Sequence, residues 1–249
     1  IRWRRLKLCV VIPVYNHEHA IGIVVAASLP YGYPIILVDD GSAGSCAKVL
    51  DELIEKHLQL SLVRLARNQG KGGAVEAGLR EAARLGYSHA LQIDADGQHN
   101  CADIPVFSAL AVKHPLAVIC GCPIYDDSVP RARLYGRYAT HIWVWINTLS
   151  LAIRDSMCGF RVYPLAPTVA LLDDVRIGRR MDYDTEVLVR LYWRGLQIVN
   201  QPTKVCYPLD GVSHFRMLTD NLKITWMHTK LFFGMLPRAP LLIWRHLHN

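Results

Sequence analysis

No stretch of 18 uninterrupted apolar residues occurs in the 249-residue chain, so no transmembrane helix is predicted. No signal peptide opens it, although Ile1 suggests that the natural start is elsewhere. Internal repeats, low-complexity linkers and nucleic-acid-binding signatures are missing too. The lysines and arginines are scattered apart from Arg2-Trp3-Arg4-Arg5 and Arg179-Arg180, so no nucleic acid partner is expected. The seven cysteines are odd in number and irregularly spaced, and Cys120 and Cys122 lack the paired spacing of a zinc site. Cys9, Cys120 and Cys206 lie in apolar context, which predicts buried, reduced thiols and a cytoplasmic protein. Positive charge is in surplus instead. With 28 Lys plus Arg against 21 Asp plus Glu the net charge is +7, which favours an anionic membrane surface or phosphorylated small molecules.

The first half alternates short β-rich runs with helical stretches, the pattern of a mostly parallel sheet flanked by helices. Strands are predicted at Leu8–Val14, Pro34–Val38, Leu60–Leu65, Ser88–Ile93 and Leu116–Cys120, with helices at Glu18–Leu29, Ser45–Lys56 and Gly72–Leu85. Beyond them a long helix is expected over Arg131–Ile153, another over Asp184–Trp193, and short strands at Gln197–Val199 and Val205–Tyr207. The tail from Trp226 to Trp244 mixes aromatic and basic residues. Such a segment lies on a membrane surface, or packs on the domain or a second subunit. The expected division is a domain at 1–225 and an amphipathic tail at 226–249.

Three of the strands break abruptly into polar residues: Val14-Tyr15-Asn16, Val38-Asp39-Asp40-Gly41-Ser42 and Ile93-Asp94-Ala95-Asp96-Gly97-Gln98-His99. Ligands of open α/β sheets bind outside the carboxyl ends of the strands, so the endings predict one shared site with four carboxylates. Asp94 and Asp96, two apart, can hold one Mg²⁺ or Mn²⁺ between protein and a diphosphate, with Gln98 adding a neutral oxygen and His99 a nitrogen. Asp39 and Asp40 suit hydrogen bonds to a ribose or base, while Ser42 or Ser45 is a candidate N-cap for the helix that follows. Asn68-Gln69-Gly70-Lys71-Gly72-Gly73-Ala74 has neither P-loop nor dinucleotide-fingerprint spacing. Its glycines serve either an anion at the helix start or close packing of helix on sheet.

Together these segments resemble family 2 glycosyltransferases, inverting enzymes of the GT-A fold, and within them the dolichyl-phosphate mannose synthase-like branch. The resemblance runs firmly over residues 7 to 122 and more loosely through Cys158-Gly159-Phe160-Arg161, Asp182-Tyr183-Asp184-Thr185-Glu186 and Gly211-Val212-Ser213-His214-Phe215. It implies a nucleotide-sugar site from Pro13, Tyr15, Asn16, Val38, Asp39, Asp40, Lys71, Asp94, Ala95 and Asp96, and a metal held by Asp94, Asp96 and Gln98. Departures from the branch fall at His17, where a Glu is usual, at Cys122-Pro123, where an Arg is usual, and at Tyr207-Pro208-Leu209-Asp210, where a basic residue is missing. Arg131, Arg137, Arg161, His214 and Arg216 are therefore the candidates for acceptor or diphosphate.

The acceptor decides whether a base is needed. A lipid phosphate is ionised near neutral pH, whereas a hydroxyl needs a general base within hydrogen-bond reach. Asp184, with Glu186 second, is the candidate base, although an acidic first helical turn also complements the macrodipole. The expected activity is sugar transfer to a membrane-associated acceptor, polyprenyl phosphate first and a hydroxyl of a lipid or glycan second. The rivals are a nucleotidyltransferase and a catalytically silent membrane-associated subunit. The expected location is peripheral, on the cytoplasmic face of a membrane.

Overall fold

The computed structural model describes residues 6–124, 131–205 and 217–248, with the backbone alone for 131–135 and 246. Seven strands form one sheet: β1 Leu8–Val14, β2 Ile35–Asp39, β3 Leu60–Arg64, β4 His89–Gln92, β5 Val118–Ile124, β6 Arg161–Pro164 and β7 Ile198–Lys204. Their order is β3-β2-β1-β4-β6-β5-β7, and β6 alone runs antiparallel to its neighbours β4 and β5. Val14 is in register with Asp39 and Val11 with Gln92, so the carboxyl ends of β1, β2 and β4 finish side by side.

Strand alternation sorts the core into two layers. Leu8, Val10 and Ile12 of β1 pack with α1 (Ile21–Ser28), α2 (Gly44–Lys56) and α4 (Ile104–Lys113). Cys9 and Val11 point the other way, onto α3 (Lys71–Arg84), in the layer that also holds α5 (Arg131–Thr148), α6 (Leu165–Asp174), α7 (Tyr183–Trp193), α8 (Met217–Met235) and α9 (Ala239–His248). Gly78 lets α3 lie hard against the sheet. A Cβ there would sit 2.4 Å from Val11 Cγ1 and 2.9 Å from Val38 Cγ2. The described cysteines are free; Cys122 is half-buried and the others are buried, and burial pushes the Cys9 thiol up to about 12.

Several boundaries differ from expectation for identifiable reasons. The long helix stops at Thr148, because Leu149 adopts φ 51, a left-handed conformation that ends the α-helical ladder. The first of the two short strands, expected at Gln197–Val199, runs on to Lys204 as β7 with Pro202 inside it, and of the second, expected at Val205–Tyr207, only Val205 lies within the described residues. β7 is the last strand of the sheet, where a missing N–H is tolerated. Val205 beyond it makes an isolated bridge to His99. Neither serine caps α2, whose N-cap is Ala43. Ser42 Oγ instead accepts from Asn16 N at 3.2 Å, and Ser45 Oγ donates to Glu18 at 3.2 Å. Elements α4, β6 and α6 lack a counterpart in the sequence reading. Among the described residues no helix is long and apolar enough to cross a membrane.

Candidate active site

Each of the three strand endings is tied to a neighbour. Asn16 turns the chain after β1 in a left-handed conformation, φ 53, and its Oδ1 accepts from Ala43 N at 2.7 Å. Asp39 accepts from Ser42 N at 2.9 Å and pairs with Arg64 at 3.2 Å. Both oxygens of Asp40 accept backbone N–H groups of the glycine-rich loop, Gln69 at 2.7 Å and Gly70 at 2.9 Å. Burial raises the Asp40 carboxyl above its ordinary value, with those two N–H groups working against the shift. Asp40 thus fixes the loop from which α3 springs. Pro13 and Val38 are buried and Tyr15 is half-buried beside them.

Lys71, the first residue of α3, joins carboxylates from two distant parts of the chain. Its Nζ stands 2.8 Å from Asp94 Oδ2 and 2.8 Å from Asp184 Oδ2. Asp184 lies in the first turn of α7, so two helix amino termini converge on the end of β4. Burial works against the ammonium, but the two carboxylates outweigh it and raise Lys71 above its usual range. Burial likewise opposes ionisation of Asp94, and Lys71 with His99 overcomes it, holding this carboxyl well below the ordinary value. His99 Nε2 lies 3.4 Å from Asp94 Oδ2, while its ring packs on Phe160 at 5.4 Å. Asp96 is half-exposed, and its Oδ1 accepts from Gln98 N at 3.0 Å.

A second layer holds Asp94 in place. Gln92 Nε2 donates to Asp94 Oδ1 at 3.3 Å, and Tyr163 Oη donates to Gln92 Oε1 at 3.3 Å. Behind them Arg161, fully buried, donates to the carbonyls of Ser156 and Asp184. The loop leading into β6 also reaches the site, since a Cβ on Gly159 would fall 2.3 Å from Asp94 Oδ2. Gln92 was given no role from the sequence, and Gly159 was met there only as part of the loosely matching segment Cys158-Gly159-Phe160-Arg161. A lone amide inside the buried run Ala90-Leu91-Gln92-Ile93 was the available signal for the first.

The remaining candidates fall elsewhere. Glu186 is 0 % exposed and its carboxylate is taken up by Arg190, Lys230 and the Gly178 N–H, so it does not join the Lys71 cluster. Arg137 pairs with Asp155 at 2.6 Å, next to His141. Arg161 stands behind the cluster as a support. The Arg131 side chain, His214 and Arg216 lie outside the described residues.

The donor set suits a hard divalent ion: two carboxylates, Asp94 and Asp96, with the Gln98 carboxamide. Among the described residues no three His, Cys, Asp or Glu side chains form a ready-made cage. An ion bound here would take its remaining ligands from a diphosphate and water, as Mg²⁺ and Mn²⁺ do. Charge points the same way. Asp94, Asp96 and Asp184 against Lys71, three carboxylates less one ammonium, leave two negative charges for a cation to balance.

Residues 9–170 match the family model described as "Glycosyl transferase family 2". A dolichyl-phosphate beta-glucosyltransferase of Dictyostelium discoideum is 31% identical over 206 residues, covering 74% of this chain and 61% of that protein. A UDP-N-acetylglucosamine–dolichyl-phosphate N-acetylglucosaminyltransferase of Methanococcus voltae is 27% identical over 213 residues, 79% of this chain and 84% of that one. The chain spans about three fifths of the length of the dolichyl-phosphate glucosyltransferases it matches, 61% to 62%. Among solved structures, glucosyl-3-phosphoglycerate synthase of Mycobacterium tuberculosis, in complex with Mn²⁺, UDP-glucose and phosphoglyceric acid, superposes with a TM-score of 0.64. It is 17% identical, over 94% of this chain and 80% of that one. A mannosyltransferase of Pyrobaculum calidifontis with GDP-Man and Mn²⁺ gives 0.57 at 13% identity, over 98% and 81%. At those identities the likeness is one of fold, the GT-A arrangement that the sequence resemblance implied.

Proposed function

The chain belongs to glycosyl transferase family 2, and from that premise we propose that it is an inverting transferase using a nucleoside-diphosphate sugar. The acceptor in this reading is membrane-associated, with polyprenyl phosphate the first choice, as the names of the relatives suggest. The observation that carries the reading is Lys71 held between Asp94 and Asp184 at the carboxyl edge of the sheet. It sets an ammonium and the amino end of α3 beside acidic groups whose excess charge a divalent ion would balance on its way to a diphosphate.

Asp94, Asp96 and Gln98 would hold Mg²⁺ or Mn²⁺, whose chemistry is to stabilise the growing charge of the departing diphosphate as a Lewis acid. Pro13, Tyr15 and Val38 would line the nucleotide, with Asp39 and Asp40 fixing the backbone around it. An ionised lipid phosphate attacks the anomeric carbon unaided, so Asp184 would then only position Lys71. For a hydroxyl acceptor, Asp184 Oδ1 would take the proton. That oxygen is buried and has no partner among the described residues. The enzyme would work as a peripheral protein on the cytoplasmic face of a membrane.

The test is thermal stabilisation by UDP-sugars and GDP-sugars with and without Mn²⁺, followed by transfer of labelled sugar to polyprenyl phosphate or to an alkyl glycoside. One donor is expected to raise the melting temperature only with metal, and Asp96→Ala to abolish the effect. With the lipid phosphate as acceptor, Asp184→Asn is expected to lower kcat by less than about tenfold. A loss of roughly 10²- to 10⁴-fold would mark Asp184 as a general base and a hydroxyl as the acceptor. A folded protein that no donor stabilises would refute the transferase reading.

A further inference from the structure

Helix α8 is apolar on two opposite faces. Met227, Leu231 and Met235 are buried on one side. On the other, Leu218 is 82% exposed, Trp226 63% and Phe233 65%, and Leu222 stands between them. These four recur at intervals of four, four and seven, so they form one stripe along the helix. A single buried face would have been enough to dock α8 on the domain.

The stripe continues onto α5. Trp143 packs edge-on against Phe232 with ring centroids 6.4 Å apart, and Phe232 packs against Phe233 at 5.8 Å. Through that aromatic chain the stripe of α8 meets the exposed Tyr138, Ile142 and Ile146, four residues apart on α5. The surface thus joins two helices with 68 residues of chain between them. It is wider than the tail beginning at Trp226.

Charge selects the occupant. The sequences of α5, α8 and α9 contain one acidic residue, Asp220, which is buried and paired with Arg180 at 3.3 Å. Exposed Lys223 adjoins Leu222 on α8, and exposed Arg238 follows the end of the helix, its guanidinium over the Trp193 ring at 4.9 Å. An apolar, aromatic face bordered by cations, on helices whose described residues carry no exposed acid, fits an anionic lipid surface. On its inward side the start of α8 reaches toward the crevice. Asp220 holds Arg180, whose side chain would crowd a Cβ on Gly70, the residue that binds Asp40 and precedes Lys71.

We propose that the outer faces of α5 and α8 together seat the protein on an anionic bilayer, with the start of α8 placing the crevice at the lipid headgroups. Its purpose rests on the lipid-linked acceptor proposed above; its binding does not. The membrane contact is then part of acceptor recognition, because a lipid phosphate reaches the Lys71 cluster without leaving its leaflet.

Sedimentation with phosphatidylcholine vesicles, with and without phosphatidylglycerol, tests it, with the nucleotide-sugar thermal shift read on the same preparations. Binding is expected only with the anionic lipid, weakening as salt is raised. Ile142→Ser on α5 and the pair Leu222→Ser, Trp226→Ser on α8 should each lower vesicle affinity more than tenfold, leaving the melting temperature and the donor shift unchanged. Brominated acyl chains should quench tryptophan emission of the unaltered protein, a reading that needs no variant. Absence of quenching, binding untouched by either substitution, or a dimer that these substitutions convert to monomer would overturn the proposal. Loss of the donor shift alone would count against the transferase reading and leave the membrane face standing.

Discussion

An ammonium 2.8 Å from two carboxylates neutralises one of them and shields the other, and only then do Asp94 and Asp184 sit together in a half-buried crevice. Lys71→Met would leave them facing each other. Removing one partner of such a pair is expected to cost about 3 kcal/mol by urea unfolding, and Asp184→Asn in the same chain should restore part of it. Additive losses would mean that the two residues do not interact. At this scale the sequence announced Asp94, Asp96 and Asp184 through their place after a strand or at a helix start. It did not announce that Asp40 would spend both oxygens on Gln69 and Gly70, or that Glu186 would be claimed by Arg190 and Lys230. Those outcomes depend on which donors the fold brings near, and donors from distant segments leave no local spacing.

Among the elements, α3 is the one whose position the proposed chemistry needs most, since Lys71 is its first residue. Gly78→Ala improves helix propensity yet pushes a methyl group to 2.4 Å from Val11 Cγ1, so a loss of about 1 to 3 kcal/mol is expected. Gly22→Ala in α1, where no atom lies within 4 Å of the new methyl, is expected to gain up to about 1 kcal/mol. Equal effects at the two sites would show that α3 can move away from the sheet without penalty. The strands β1 to β4 were readable because each is an apolar run closed by turn residues. β6 was not: four residues beginning with a charged Arg161 carry no periodic signal, and its pairing with β4 and β5 is set wholly by distant chain. β7 was expected only as far as Val199, yet it continues through Pro202, which an edge position tolerates.

For the whole molecule, acid should find the link between α5 and the loop before β6. Arg137 and His141 bind Asp155, whose Oδ1 also accepts from Met157 N and Cys158 N at 2.9 and 2.8 Å. Burial alone would raise the Asp155 carboxyl, but the His141 hydrogen bond and Arg137 bring it down from 3.8 to about 2. A depressed carboxyl stabilises the fold fully above its unfolded value and loses that contribution as pH falls through about 2, roughly 2 kcal/mol in all. Unfolding free energies measured from pH 5 to pH 2 should therefore fall less steeply in Asp155→Asn than in the parent. An unchanged slope would remove Asp155 from the acid response.

The reversed strand has a consequence for how the protein is made. Among the described residues β5 pairs with β6 and β7, and neither has emerged when Ile124 leaves the ribosome. At ordinary elongation rates the nascent chain carries Val118-Ile119-Cys120 without its native partners for about 2 to 8 seconds before Arg161 emerges. During that interval the apolar strand is open to pairing with another chain, and a chain arrested there is left with an unmatched edge.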